Sequence, residues 1–335
     1  MTNYTDVRYK MPTVSFSGAT EASPAEGNIW YQSGKFHFGS SETTLYVGVW
    51  SSGGNISTGR WSMGCAGTQT SGLCFAGYTG SGNSNVTEEY NGTAWSGGGN
   101  VGTSQYALGG CGTQTAGLKM GGAYGQGTNV TEEYNGSSWS GGGNLGTSRG
   151  YLSAAGTQSS ALCMGGYYTA TARKTEEYNG SSWSAGGDLA SPGRYGSTGC
   201  GTQSAGLCMG GRPEEGDVVN VTEEYDGSSW SSGGNTLTAR TSGAGGGTQS
   251  AAWIGGGFDG SSNFHSTEEY NGTAWSAGGN TLTRPRYRGG TGTQAAGLIM
   301  GGEASQASTP VLLTEEYTSP GTGNYDELFI ASGGL

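Results

Sequence analysis

The chain alternates short apolar runs with glycine-rich polar turns, and one nine-residue stretch, TEEYNGSSW at Thr175–Trp183, sets the spacing of the others. In its TEEY part the first and third residues share one face of an extended strand and the second and fourth share the other, because strand side chains alternate at period two. Asn179-Gly180 then tolerates positive φ and predicts a tight hairpin turn. The pattern therefore predicts a strand, a turn and a returning strand that begins at Trp183.

The same stretch recurs with small changes, and successive copies of its tryptophan are 44 to 47 residues apart. Each copy belongs to a longer unit: a Trp-Ser segment, a Gly-Thr-Gln turn, an apolar strand ending in Gly-Gly, a variable loop and Thr-Glu-Glu-Tyr. No segment has the apolar period of a helix, so each unit is predicted to contain four short strands. The full copies are Thr87–Trp95, Thr131–Trp139, Thr175–Trp183, Thr222–Trp230 and Thr267–Trp275, and a sixth, Thr314–Tyr317, lacks the turn and the tryptophan.

The two ends of the repeat region predict how the units are arranged. A four-stranded unit cannot bury both faces of its sheet alone, so neighbouring units must stack, either as an open solenoid or radially as a propeller. The first unit begins at its tryptophan strand, Thr43–Trp50, whereas the last, Arg286–Tyr317, has three strands and no tryptophan strand. The N-terminal strand is therefore predicted to complete the last blade and close a ring.

These observations predict an all-β fold, a six-bladed β-propeller of four-stranded blades over residues 44–317. An N-terminal extension would occupy residues 1–43 and a C-terminal tail residues 318–335. Within the extension, Gly27–Phe38 (GNIWYQSGKFHF) predicts a small aromatic hairpin around a Ser-Gly turn.

Composition adds constraints on partners. The 71 glycines fall at fixed repeat positions, which indicates turns and close packing in a folded array. A net charge of -11 argues against nucleic acid, since phosphate binding needs clustered Lys and Arg. The chain has neither an apolar run near 18 residues nor a basic-then-apolar N-terminus, so we expect no membrane insertion and no export by a signal peptide.

The six cysteines occupy two repeat positions that other units fill with Ala, Gly, Lys or Ile. This interchange predicts a core-filling role. A cross-strand Cys200–Cys208 disulfide is the alternative, and the oxidation state of this pair is left open.

Charged side chains recur with the same period as the blades. An arginine stands seven residues before Gly-Thr-Gln in four units and six residues before it in a fifth, and Gln105 takes this place in the remaining unit. We expect these arginines to pair with repeat glutamates across blade interfaces, because a guanidinium suits a carboxylate bidentately. A cation-binding ring of glutamates is the alternative. The residues concerned are Arg60, Arg149, Arg194, Arg240 and Arg286, with Glu89, Glu133, Glu177, Glu224 and Glu269.

Enzymatic chemistry has little support in the sequence. Copper chemistry of the galactose-oxidase type needs two histidine ligands, and the two histidines here, His37 and His265, lie in different parts of the chain. No nucleophile elbow or metal-ligand spacing is present. A paired-carboxylate glycosidase is compatible with the composition, but carboxylates repeated in every blade are more simply structural. We therefore expect no enzyme activity, no metal site and no cofactor.

The loops between Gly-Gly and Thr-Glu-Glu-Tyr vary most from unit to unit. They carry side chains that can stack on sugars or anchor a protein partner, although ordinary variation of solvated loops is an equal alternative. The candidate binding residues are Tyr78, Tyr124, Tyr167, Tyr168, Arg212, Phe258 and Asp259.

The order of a Gly-Gly pair ending the second strand, a Tyr ending the third and a Trp opening the fourth resembles the kelch repeat. No Trp-Asp or Gly-His signature of the WD type is present. The Gly27–Phe38 hairpin and the Trp-Ser-x-Gly-Gly-Asn and Gly-Thr-Gln segments are similar to parts of tail-fibre and other virion proteins of marine and cyanobacterial phages. This resemblance implies a virion component with an N-terminal attachment region and a propeller displayed outward.

The expected function is thus a non-enzymatic phage virion protein, at the tail fibre, tail tip or head, that presents a propeller for adhesion or assembly. Its partners would be other virion proteins, through residues 1–43, and a host-surface glycan or protein, with a homo-oligomer also compatible. Its location would be the virion, assembled in the host cytoplasm. A cellular kelch-like interaction scaffold and a carbohydrate-active enzyme are the alternatives.

Overall fold

The structure, a computed structural model, describes residues 29–32, 35–38, 48–123, 126–167, 173–190, 193–304 and 309–319. Within these ranges every regular element is a β-strand and none is a helix. The chain divides into two compact units, one made of Met1–Tyr46 and Gly321–Leu335 and the other of Val47–Pro320. In the first unit, Ile29–Gln32 pairs antiparallel with Lys35–Phe38, as the predicted hairpin requires.

The second unit contains six antiparallel four-stranded sheets, which confirms the predicted six-bladed propeller. Strands are numbered 1 to 4 from the central channel outward. Blade 1 is Gly64–Thr68, Ser71–Phe75, Thr87–Tyr90 and Trp95–Gly97. Blade 2 is Gly109–Gly112, Gly117–Met120, Thr131–Tyr134 and Trp139–Gly141. Blade 3 is Ser153–Thr157, Ser160–Met164, Thr175–Tyr178 and Trp183–Ala185.

The remaining blades follow the same order. Blade 4 is Thr198–Gly201, Gly206–Met209, Thr222–Tyr225 and Trp230–Ser232. Blade 5 is Ala244–Thr248, Ala251–Gly255, Thr267–Tyr270 and Trp275–Ala277. Blade 6 is Gly289–Gly292, Ala296–Met300, Thr314–Thr318 and, from the N-terminal side, Val49–Ser52. Two short pairs lie outside the blades: Arg194–Tyr195 with Arg212–Pro213, and Glu303–Ala304 with Thr309–Pro310.

The ring closes through the strand that precedes the first complete repeat, as predicted. Trp50 lies opposite Tyr317, and its indole N–H donates to Thr267 Oγ1 and to the Gly279 carbonyl, both at 3.0 Å. Within the described residues the closing strand runs to Ser52, two residues beyond the predicted end.

The repeated motif residues hold neighbouring blades together. At every interface a strand-3 tyrosine donates its hydroxyl to the second glutamate of the preceding blade, as Tyr134 does to Glu89 at 2.6 Å. A strand-4 tryptophan donates its N–H to a threonine Oγ1 of the preceding blade, as Trp139 does to Thr87 at 2.9 Å. The Gln of each Gly-Thr-Gln turn donates to two carbonyls of that same neighbour. One buried apolar cluster fills each of the six interfaces.

The two faces of the disc differ in character. On the turn face, the Gly-Thr-Gln and Asn-Gly turns of one blade adjoin each other, since a Cβ on Gly92 would lie 3.4 Å from Thr70. On the loop face, the connection entering each blade meets the start of the variable loop, as in the Trp61–Tyr78 and Gly150–Tyr167 bridges. Function that varies between blades can therefore reside on the loop face without disturbing the turns.

Candidate functional site

The buried arginines form ion pairs within blades, which corrects the predicted pairing across interfaces. Arg60 Nη1 lies 2.5 Å from Glu88 Oε1, and Arg149 Nη1 lies 2.5 Å from Glu176 Oε1. Arg194 pairs with Glu223 and Arg240 with Glu268 in the same way. The partner is thus the first glutamate of each pair. The predicted partners Glu89, Glu133, Glu177, Glu224 and Glu269 instead accept the inter-blade tyrosine hydroxyls.

The reason lies in the alternation of the strand. Glu88 lies opposite Cys74, and Arg60 contacts the Cys74 sulfur at 3.1 Å on that same buried side. Burial alone would raise the pKa of Glu88, but the hydrogen bonds from Arg60 and from the Ser57 N–H outweigh it and lower the pKa. The glutamate therefore stays ionised inside the blade.

In two blades the buried glutamate pairs with a cation from a different position. In blade 2, which has Gln105 in place of the arginine, Lys119 occupies the position of Cys74 and lies 2.7 Å from Glu132 Oε1. In blade 6 the buried cation is Arg288, 2.7 Å from Glu315 Oε1. Arg286, predicted for this role, instead pairs with Glu303 at 2.9 Å and is about a quarter exposed.

The thiols and acidic groups do not assemble a reactive or metal-binding centre in the described part of the chain. All six cysteines are buried free thiols, and the register sets Cys200 opposite Leu207, away from Cys208. Burial raises the pKa of Cys200 to about 12, so the thiol stays protonated at neutral pH. No group of three or more His, Cys, Asp or Glu among the described residues is placed to hold a metal ion. The same residues include no helix long and apolar enough to cross a membrane.

The predicted loop residues fall into three groups. Tyr124 and Tyr168 lie outside the described residues. Arg212 is exposed and donates a hydrogen bond to the Gly216 carbonyl at 3.3 Å. Asp259 accepts hydrogen bonds from the N–H groups of Ser261 and Ser262. Both side chains therefore stabilise the loops to which they belong. Tyr78, Tyr167 and Phe258 are half-buried. Tyr78 and Tyr167 contact the rings of Tyr106 and Tyr195, whereas Phe258 lies under the guanidinium of Arg286.

Aromatic side chains form a connected band at the loop-face mouth of the channel. Tyr151 is its centre, with ring centroids 6.4 Å from Tyr106, 6.3 Å from Tyr195 and 6.1 Å from Tyr287. The band continues from Tyr106 to Tyr78 at 5.5 Å. We define the aromatic band as Trp61, Tyr78, Tyr106, Tyr151, Tyr167, Tyr195 and Tyr287.

Trp61, Tyr106, Tyr151, Tyr195 and Tyr287 were absent from the sequence-based candidates. The available signal was position, because the four tyrosines stand five or six residues before Gly-Thr-Gln in their units. The stacking of neighbouring blades brings Tyr106, Tyr151 and Tyr195 together, and the closure of the ring adds Tyr287.

A closed ring of backbone hydrogen bonds supports the band. At one equivalent position in each blade, the N–H donates to the carbonyl of the same position in the preceding blade, over 2.6 to 3.2 Å. All six residues adopt left-handed φ values between 50° and 61°. We call this ring the collar; its members are Ser62, Ala107, Tyr151, Gly196, Ser242 and Tyr287.

Tyr151 and Tyr287 belong to blades 3 and 6, which are opposite each other in the ring. Their rings can approach to 6.1 Å only by crossing the channel axis. Both line a cavity of about 90 Å³ together with collar and channel residues of the other four blades. The site is therefore axial, concave and built by all six blades.

Charge at the mouth is locally balanced. The Arg286 guanidinium lies 5.0 Å from the Phe258 ring centroid and 5.2 Å from that of Tyr287, while Glu303 neutralises it. Arg288, at the cavity wall, is neutralised by Glu315.

Comparison with known proteins supports the fold and nothing finer. No family model matches the chain, and no curated protein matches it. Among solved structures, the one titled "Structure of YjhT" is similar with a TM-score of 0.66 at 14% identity, over 80% of this chain and 97% of that one. The class that fold and site define is a six-bladed β-propeller with an aromatic axial site.

Proposed function

We propose that this protein is a non-enzymatic virion component of a tailed phage that uses the loop face of its propeller for host-surface adhesion or for virion assembly. Residues 1–43 would join it to other virion proteins, and it would reach the particle during assembly in the host cytoplasm. The assignment to a virion rests on the resemblance of the repeats to kelch repeats and to phage tail proteins.

The aromatic band is the observation that carries the binding part of the proposal. Rigid aromatic side chains give a large contact area at low entropic cost, and concave sites lined by them are typical of ligand and partner recognition. On this propeller they gather on the loop face, while the turn face repeats the same motif.

The contacts of the repeat glutamates support a binding role over a catalytic one. The buried carboxylates Glu88, Glu132 and Glu176 are held by cations inside their blades. The second glutamates accept tyrosine hydroxyls at the interfaces. Neither set is directed at the channel mouth as an acid-base pair would need to be.

The test is incorporation into particles. Phage assembled with the full chain should contain it by mass spectrometry, and a chain lacking residues 1–43 should fold as a propeller, since Val49–Ser52 is kept, yet be absent from particles. Normal incorporation of the truncated chain would overturn the attachment role. Absence of the full chain from particles would overturn the virion assignment.

A further inference from the structure

We propose that the channel mouth is a binding site for a neutral saccharide, whose pyranose ring stacks on the Tyr151–Tyr287 pair. This inference rests on the proposed function and names the ligand of its loop face.

The collar presents these two tyrosines at a backbone cost. Tyr151 has φ 51° and Tyr287 has φ 56°, a region of backbone conformation that is unfavourable for a bulky L-residue. Smaller occupants meet the same backbone requirement at equivalent positions, because Ser62, Ala107 and Gly196 form the same collar bonds. The collar hydrogen bonds therefore do not require an aromatic side chain at either position. Residues held in strained backbone conformations of this kind cluster at ligand sites.

The small collar residues leave the cavity open beside the tyrosines. Its wall carries the hydroxyl-bearing Ser62, Ser197 and Ser242. The Ser62 Oγ atom is buried and has no hydrogen-bond partner among the described residues. A buried hydroxyl without a partner costs free energy that a ligand hydroxyl would recover.

This combination of an apolar ring face and nearby hydroxyl groups matches a sugar. One face of a pyranose presents C–H groups to an aromatic ring, while its edge presents hydroxyls to polar side chains. The cavity volume of about 90 Å³ is roughly that of three water molecules, which is too small for a whole pyranose ring. A substituent of the sugar would therefore enter the cavity while the pyranose ring lies on the tyrosines.

Electrostatics favours a neutral ligand. The protein carries a net charge of -11, which opposes anions at long range. A cationic ligand would meet Arg286, whose guanidinium already lies against the ring of Tyr287. Glu303 and Glu315 neutralise the charges of the two arginines at the mouth. The buried Nε and Nη2 of Arg288 have no hydrogen-bond partner among the described residues, so they can donate to an uncharged ligand oxygen at the cavity wall.

The experiment is calorimetric titration of the full-length protein with maltotriose, lactose and N,N′-diacetylchitobiose as neutral probes, oligogalacturonate as the anionic probe and choline as the cationic probe. At least one neutral saccharide should bind. Tyr151→Ser and Tyr287→Ser should each weaken it by about tenfold, since one stacked ring is lost. Serine already occupies this collar position in blades 1 and 5, so these variants retain a backbone that the fold accepts.

Phenylalanine variants at both positions keep the ring face and should bind within about threefold of the parent, a difference of less than 1 kcal/mol. Leu237→Ala removes an apolar side chain that is 59% exposed and lies outside the cavity lining, and it should leave affinity unchanged. Binding of oligogalacturonate or choline alone, binding that survives both serine variants, or no binding to any probe would each overturn the inference.

Failure of the site and failure of the virion role remain distinguishable. Particles that contain the protein while the serine variants bind saccharide normally would contradict only the axial site. A protein that is absent from particles but loses saccharide binding in these variants would contradict only the virion role.

Discussion

The hydroxyl of Tyr134 donates a 2.6 Å hydrogen bond to Oε1 of Glu89 in the preceding blade. The same relationship occurs at all six interfaces, including the one closed by the N-terminal strand. The motif that looks most like a functional signature, acidic and aromatic in every repeat, therefore holds the ring together. The binding specificity that we propose would instead lie at the irregular positions around the channel mouth.

Removing one of these hydroxyls should weaken the ring without disturbing its core. Tyr134→Phe keeps the buried ring and should lower the free energy of unfolding by about 1–2 kcal/mol, because a bond to a charged acceptor is lost. Tyr106→Phe is the matched control, since its ring belongs to the aromatic band rather than to a blade interface, and it should change stability by less than about 0.5 kcal/mol. Equal effects of the two variants in chemical denaturation would contradict the assigned role.

The interface tyrosines also predict an alkaline limit to stability. Burial, followed by the hydrogen bond to Glu89, raises the pKa of Tyr134 from 10.0 to about 12, and Tyr90, Tyr178 and Tyr225 behave alike. Because the fold favours the neutral phenol, this contribution is fully present below pH 10 and is lost as pH rises through 12. Melting temperature should therefore fall steeply between pH 10 and 12, with phenolate absorbance appearing in the same transition. A melting temperature unchanged up to pH 12 would exclude this contribution.

The buried ion pair of blade 3 should be costly to break. Arg149→Ala leaves Glu176 buried without its cation and should destabilise the protein by about 3–5 kcal/mol, lowering the melting temperature. Lys174→Ala, which removes an exposed partner of Asp188, is the control and should cost less than about 1 kcal/mol. An unchanged melting temperature for Arg149→Ala would contradict the structural role of the pair.

Blade 2 offers a test by exchange. Lys119→Cys alone should destabilise by several kcal/mol, about as much as Arg149→Ala, because Glu132 loses its cation. Adding Gln105→Arg recreates the Arg–Cys–Glu arrangement of blades 1 and 3 and should restore most of the loss. A double-mutant cycle measures the coupling, and purely additive effects would show that the two positions do not share one site.

The fold can be predicted from the sequence because the same strand and turn motifs recur in every blade. Strand order, blade number and closure follow from the recurrence of Thr-Glu-Glu-Tyr and from the missing sixth tryptophan. The pairing of Arg149 was predicted with the wrong glutamate, since period two separates Glu176 from Glu177 but does not tell which side faces the blade's own arginine.

The axial site could not be predicted in the same way. Tyr151 and Tyr287 are far apart in sequence, and the repeat position they share carries Ser, Ala or Gly in the other units, so this position alone does not mark an aromatic site. Their contact arises only because a closed ring of six sets blades 3 and 6 opposite each other. A site created by closure is visible only when the ring is assembled.

The most direct test of the account is a cryo-EM map of the intact particle. It should show a six-bladed density at the particle surface, joined to the virion through residues 1–43, with the loop face and the Tyr151–Tyr287 pair open to solvent. A particle without this density, or one in which the loop face is buried against another virion protein, would contradict a role in host-surface recognition.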